Sequence, residues 1–413
     1  MRGYDMVRRE KNAVVVDALS LGGLILAIAL CSASSRAQTL TTLYDFQGGS
    51  DGAWPCSGLV RDSQGRLYGT TQFGGGSDNA GIVFGLSPFD SANETVLHRF
   101  QISDGENPCA SLFRSPDGDF YGTTIYGGVY GTIFKLHGHK LTVLHEFKGD
   151  PDGAFPSGGV IEDAKGVVYG TTSGGGTGPC AGGCGTIYSL DKTGNVTILH
   201  SFTGQDGAYP AAIILDSAGN FYGTTRAGGA NNFCPQEGGC GTVFKLDVNQ
   251  QITVLHSFVG GTDGWAVGTG LARDEQGSLY GTTLGGGISN LGTVYEVTKS
   301  GKERILHSFT GAPDGADPAG TLFLDSGGLL YGTTYSGGDV SCVGETFGCG
   351  TIFQIDKSGK EKVLYSFNGS SDGALPTGNV ISDPRGFLYG TTSRGPEYGC
   401  PLHNCGTVWK LEK

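Results

Sequence analysis

Residues 270–309 read GLARDEQGSLYGTTLGGGISNLGTVYEVTKSGKERILHSF. The stretch holds four short β-type runs: Gly270 to Arg273, Ser278 to Thr283, Thr293 to Val297 and Arg304 to Phe309. Each is rich in β-branched and aromatic residues and is bounded by Gly, Asp or Ser turns. The first two are joined by Asp274-x-x-Gly277. Asp favours the start of such a turn, and Gly supplies the left-handed position a hairpin needs.

The same unit recurs along the chain. Tyr-Gly-Thr-Thr begins at Tyr68, Tyr121, Tyr169, Tyr222, Tyr280, Tyr331 and Tyr389. A Gly-Thr-Ile/Val-aromatic string follows each, ending at Phe134, Tyr188, Phe244, Tyr295, Phe353 and Trp409, with the variant Gly81-Ile82-Val83-Phe84 in the first unit. A third string of the type Val-Leu-His-Ser-Phe ends at Phe46, Phe100, Phe147, Phe202, Phe258, Phe309 and Phe367, and an Asp-Gly pair follows every one. Four antiparallel strands per unit, repeated seven times, predict an all-β, seven-bladed β-propeller of four-stranded antiparallel blades.

The ends predict how the ring closes. Residues 41–46 are a lone fourth-strand string and residues 406–411 a third-strand string. The N-terminal strand therefore completes the blade that the C-terminal strand leaves unfinished, and no long edge stays open. One propeller domain over residues 38–413 accounts for the length without further domains.

Composition agrees. Gly contributes 76 of 413 residues and charged residues only 16 %. Glycine at that level disfavours long helices, since each costs about 1 kcal/mol relative to Ala inside one. Residues 1–37 read as a secretory signal peptide. Arg2, Arg8, Arg9 and Lys11 form the positive region, Leu19 to Leu30 the apolar run, and Ser35-Arg36-Ala37 the cleavage site. No later segment is long and apolar enough for a membrane span. Removing residues 1–37 leaves 22 basic and 36 acidic residues, a net charge of −14. That balance disfavours nucleic acid and anionic membranes as partners.

The combination of Leu-Tyr-Gly-Thr-Thr, Gly-Thr-Val-Phe and Val-Leu-His-Ser-Phe resembles the GloVer tandem repeat family of bacterial exported proteins, over residues 41–413. The resemblance implies a propeller-like exported protein, secreted or held at the cell surface or in the periplasm. It carries no activity and no catalytic residues to this chain.

Ten cysteines follow the signal. Cys180/Cys184, Cys234/Cys240, Cys342/Cys349 and Cys400/Cys405 lie between the second and third strands of their units, where an exported chain favours disulfides. Cys56 and Cys109 hold equivalent places in neighbouring units. Seven-fold geometry puts their Cα atoms about 6 Å apart, which fits a crosslink between blades. His98, His145, His200, His256 and His307 share a slot with Tyr44 and Tyr365, so the slot reads as packed aromatic, and no metal or cofactor is expected. The Asp-Gly pairs read as turns between blades.

The strand two–three loops vary most in length and share a face with the blade-to-blade turns, which makes that face the expected binding surface. Trp54, Phe155, Tyr209 and Trp265 follow the Asp-Gly turns there and suit stacking on sugars or packing on a partner. Arg61, Arg114, Glu162 and Arg273 lie toward the opposite end, as an anion site or as mutually neutralising charges. The expected function is an exported, disulfide-stabilised binding or scaffold propeller, monomeric, with an extracellular glycan or surface protein as ligand. The alternative is a carbohydrate-active lyase or hydrolase centred on the channel. No nucleophile elbow, phosphate loop or His-rich metal motif is present, so no catalytic residue is assigned.

Overall fold

The computed structural model describes residues 38–89, 94–230, 234, 238–342, 347–395 and 405–413. The signal segment and Cys400 lie outside the described residues. The chain forms seven antiparallel sheets arranged as a propeller. Blades 1 to 6 follow in chain order, each pairing four consecutive strands. Blade 5, for example, comprises Ala272–Arg273, Leu279–Thr283, Thr293–Val297 and Glu303–Ser308. Blade 7 is assembled from both ends of the chain: Thr39–Asp45 pairs with Thr407–Glu412, from Thr39 opposite Glu412 to Asp45 opposite Thr407. The ring closes as the sequence predicts.

The innermost strands are shorter than expected. In blade 5 only Ala272 and Arg273 are paired as a strand, because the ladder breaks between them and the bridge from Trp265 to Gly285. Blades 4 and 6 keep longer inner strands, Ala208–Leu215 and Ala316–Leu324, at the cost of a register shift in each.

Within a blade the repeated motif has a side-chain cause. The glycine of Tyr-Gly-Thr-Thr sits directly across from the third-strand aromatic, as Gly223 does from Phe244. A Cβ at Gly223 would lie 2.6 Å from the Phe244 ring, so the ring lies over the glycine. The second Thr of the motif meets the Thr of the third strand, with Thr172 and Thr186 Oγ1 2.8 Å apart and Thr283 and Thr293 also 2.8 Å apart. The inner hairpin is tied by its own Asp in every blade but the second, where Ser115 takes that place. Asp62 Oδ1 accepts from the Gln64 and Arg66 N–H groups at 2.9 Å each, and the Tyr68 hydroxyl donates to Asp62 Oδ2 at 3.0 Å.

Between blades an aromatic belt holds the ring. The Phe that ends each outer strand packs on the third-strand aromatic of the next blade. The pairs run from Phe46 on Phe84 (5.1 Å) through Phe202 on Phe244 (5.1 Å) to Phe367 on Trp409 (6.1 Å). Edge-to-face pairs of this kind add about 0.5–1.5 kcal/mol beyond the area they bury. The His/Tyr slot is aromatic as expected, but it also bonds to the Asp-Gly turn. His98 Nε2 lies 3.0 Å from Asp104 Oδ2, His200 Nε2 2.9 Å from Asp206 Oδ2, and the Tyr44 and Tyr365 hydroxyls donate to Asp51 and Asp372. The constant six- or seven-residue spacing from slot to Asp is the sequence signal of this clasp.

Four crosslinks are present among the described residues. Cys180–Cys184, Cys234–Cys240 and Cys342–Cys349 close strand two–three loops with Cα separations of 5.0, 5.2 and 5.7 Å. Cys56–Cys109 joins blades 1 and 2 at 5.3 Å, close to the separation expected from seven-fold geometry. Cys405 is also disulfide-bonded.

Candidate functional site

On the loop-rich face each blade-to-blade connection carries one strained residue after its Asp-Gly turn. Trp54, Asn107, Phe155, Tyr209, Ala266, Asp317 and Leu375 all have φ between 53° and 58°. This left-handed conformation costs a non-glycine residue of order 1–3 kcal/mol and persists only where neighbours enforce it. Here they do. The N–H of each donates to a carbonyl at the end of the preceding blade's strand two–three loop, at 2.8–3.1 Å. Four of those acceptors are cysteines: Cys405 for Trp54, Cys184 for Tyr209, Cys240 for Ala266 and Cys349 for Leu375. The loop disulfides thus brace the ring of residues around the channel mouth.

The register of that ring separates Trp265 from the other three aromatics. Ala266, not Trp265, takes the left-handed place in blade 5, and Trp265 bridges Gly285 as Ala53 bridges Phe73. The Trp265 indole N–H donates to Asn290 Oδ1 at 3.1 Å. A proline follows the left-handed residue in six blades and Val267 in the fifth, so alignment on proline reveals the offset. Trp54 packs edge-on against Phe73 at 6.0 Å in its own blade.

Phe155 and Tyr209 come together. They line a cavity of about 660 Å³ on this face, across blades 2 to 5, with Tyr126, Ser157, Ser173 and Arg226. Tyr126 stands edge-on to Phe155 at 5.9 Å and is 45 % exposed, so its ring is available to a ligand. The Phe155 carbonyl accepts from both the N–H and the hydroxyl of Ser173, which fixes the cavity floor. Tyr126 and Arg226 were not singled out in the sequence, although each lies at the mouth of a strand two–three loop, just after Tyr-Gly-Thr-Thr. The arrangement offers aromatic faces, hydroxyls and one guanidinium to a neutral or weakly acidic ligand.

Below it lies the channel, a space of about 250 Å³ walled by Ser57, Ser111, Gly158, Ala212, Thr269, Thr321, Asn379 and other small residues. No carboxylate, imidazole, lysine or arginine is among them. General acid–base chemistry needs a titratable side chain within hydrogen-bond reach of the substrate. Asn379 is the main polar group, its Oδ1 accepting from the Thr321 N–H at 2.6 Å and its Nδ2 donating to Ser111 Oγ at 3.3 Å.

Arg61, Arg114, Glu162 and Arg273 each end the inner strand of a different blade, before the hairpin turn (Asp-x-x-Gly in three, Ser115 to Gly118 after Arg114) and away from the aromatic cavity. Arg273 reaches Asp216 of the preceding blade at 3.9 Å and lies over the Tyr222 ring at 5.4 Å. Arg114 lies over Phe120 at 5.9 Å. Burial pushes the Glu162 carboxyl above its ordinary value. No contact joins the four among the described residues. Arg273 also borders a charged groove of about 570 Å³ with Asp274 and Lys357, whose own ion pair is 2.7 Å long.

The family model described as the Gloeobacter/Verrucomicrobia repeat matches residues 29–234 and 235–413. No curated protein matches the sequence. Among solved structures, virginiamycin B lyase from Staphylococcus aureus is 16 % identical with a TM-score of 0.58, covering 91 % of this chain and 99 % of that one. A streptogramin B lyase is 15 % identical with a TM-score of 0.56, covering 91 % and 97 %. The extracellular domain of BT4673 from B. thetaiotaomicron, described as a hybrid two component system, is 14 % identical with a TM-score of 0.53, covering 91 % and 42 %. At these identities the likeness shows the propeller fold alone.

Proposed function

We propose, for a chain that belongs to the Gloeobacter/Verrucomicrobia repeat family, that it is a secreted glycan-binding propeller whose ligand sits in the cavity between Phe155 and Tyr209. The observation that carries this reading is the cavity itself. Three aromatic rings, two serines and Arg226 converge on one space of about 660 Å³, within the ~300–1,000 Å³ typical of ligand pockets. Sugar C–H faces stack on aromatic rings, while hydroxyls and a guanidinium satisfy the ring oxygens and hydroxyl groups at the edge.

Two further features support it. The disulfides belong to an oxidising compartment such as the periplasm or the medium. The channel wall presents small and neutral side chains, which suits a scaffold more than a lyase or hydrolase centred there.

A thermal-shift panel of neutral and acidic oligosaccharides tests the reading. At least one class raises the melting temperature, and Phe155→Ala and Tyr209→Ala each weaken its binding tenfold or more, while Trp54→Ala leaves it unchanged. Equal affinity in the Phe155 and Tyr209 variants would place the ligand elsewhere and overturn the assignment. Stabilisation by no sugar, together with capture of a surface protein that both variants lose, would move the ligand class from glycan to protein.

A further inference from the structure

The outer rim repeats a three-residue corner at every blade junction. It consists of the His/Tyr that clasps the Asp-Gly turn, the Asp itself, and the residue opening the next blade's outer strand. The equivalence of that third residue is fixed by its cross-strand partner, Leu86, Leu136, Leu190, Leu246, Val297, Ile355 or Leu411. Opposite them stand Glu94, Leu141, Val196, Ile252, Glu303, Glu361 and Leu40. Four blades fill the position with an aliphatic side chain, so the fold does not require a carboxylate there.

A glutamate in that slot is costly. It leaves water for a largely apolar site and stands beside the aspartate of the preceding blade. In Glu303 and Glu361 the Oε1 atom is buried and has no hydrogen-bond partner among the described residues. In both corners a histidine is also present. The ligand atoms of His256, Asp263 and Glu303 lie within 4.8 Å of one another, and so do those of His307, Asp314 and Glu361.

We propose that His256–Asp263–Glu303 and His307–Asp314–Glu361 are two divalent-cation sites, of zinc or manganese type, each bridging adjacent blades. One imidazole with two carboxylates balances the cation's charge and favours these ions over magnesium or calcium, which prefer all-oxygen shells. At the ~2.0–2.2 Å distances of zinc ligation tetrahedral donors stand about 3.4 Å apart, so the glutamate, within 4.8 Å of its partners, closes by up to about 1.4 Å on binding. The aspartates are already oriented, since Asp263 Oδ2 accepts from the Val259 N–H at 2.7 Å and Asp314 Oδ2 from the Thr310 N–H at 2.8 Å. His256 Nε2 lies 3.2 Å from Asp263 Oδ1, and His307 Nε2 3.0 Å from Asp314 Oδ1. Binding moves the imidazole proton from Nε2 to Nδ1 and puts the cation in its place. The corners are partly open, with His256 20 % and Asp263 14 % exposed, so water completes the shell.

The histidines never converge on one another, which is why their spacing alone points away from a metal. The missing ligand is a glutamate supplied by the following blade. Glu94 provides the internal comparison, because it faces Asp51 and Tyr44 rather than a histidine.

The test uses the untagged full chain, stripped with a chelator and titrated calorimetrically with ZnCl2 and MnCl2. Two cations bind per chain, and the melting temperature rises. Glu303→Leu and Glu361→Leu, which copy the residue of blade 2, each remove one cation, and the double variant removes both. Glu94→Leu keeps two. Bound Mn2+ shows hyperfine coupling to one imidazole nitrogen. Should a Leu variant fail to fold, Glu303→Gln and Glu361→Gln take its place. Absence of binding by the folded chain at millimolar cation overturns the proposal, as does a stoichiometry that the double variant leaves unchanged.

Discussion

Phe46→Ala probes the closure of the ring at its weakest point. Phe46 lies only eight residues into the propeller, where a chain end that is not tied down frays. In the structure it is 1 % exposed, stacks edge-on against Phe84 of blade 1 at 5.1 Å, and its N–H donates to the Gly406 carbonyl at 3.1 Å. Truncating a fully buried Phe costs about 3–5 kcal/mol, the sum of lost transfer energy and the cavity left behind. Phe258 is the matched control. It is 0 % exposed and packs on Tyr295 at 5.0 Å in the middle of the chain. Guanidinium unfolding with the disulfides intact therefore gives Phe46→Ala and Phe258→Ala losses within about 1 kcal/mol of each other, both in the 3–5 kcal/mol range. A loss below about 1 kcal/mol for Phe46→Ala alone would falsify the closed ring, since an exposed or frayed position loses no more than that.

Other outcomes follow from single contacts. The Tyr188 hydroxyl is buried with no hydrogen-bond partner among the described residues, and Phe fills its slot in four other blades. Tyr188→Phe raises the unfolding free energy by roughly 1 kcal/mol, and a loss of that size in the same denaturation assay contradicts the placement of the ring. Burial, then the nearby Asp51, pushes the Glu94 carboxyl up to about 7 from an ordinary 4.5. Between those values the folded protein keeps a proton that the unfolded chain has released, so stability falls as pH rises through this window and stays low above it. Glu94→Gln thus melts above the wild type at pH 8 and together with it at pH 4; coincident melting at pH 8 refutes the shift. The Cys56–Cys109 crosslink spans 53 residues and Cys180–Cys184 only 4. Replacing both cysteines by serine costs about 4 kcal/mol for the first and about 2 kcal/mol for the second on chain-entropy grounds, and equal losses in denaturant contradict that ranking.

The fold was legible because its unit is repeated, so turn chemistry and strand periodicity are read seven times over. Even the crosslink between blades 1 and 2 follows from symmetry, as the 5.3 Å separation of Cys56 and Cys109 shows. What a repeat conceals is its exceptions. Trp265 passes as the equivalent of Trp54 unless the residues after each Asp-Gly pair are counted, and the left-handed Ala266 shows the shift of one residue. Tyr126 and Arg226 stand at repeated places just after Tyr-Gly-Thr-Thr, but their residue types do not repeat from blade to blade, so only the folded chain shows them beside Phe155 and Tyr209. The histidine slot and the Asp-Gly turn each read correctly alone. Their hydrogen bond is written in the constant six- or seven-residue spacing, but the glutamates belong to packing against the following blade, some 40 to 54 residues further along the chain.

A crystal structure of the protein with the most stabilising oligosaccharide from the panel tests directly where a ligand sits. Sugar density is expected stacked on Phe155 and Tyr209 within reach of Arg226, on the face that carries the cysteine loops. Density confined to the Arg273–Lys357 groove, or threaded into the channel beside Asn379, would contradict it.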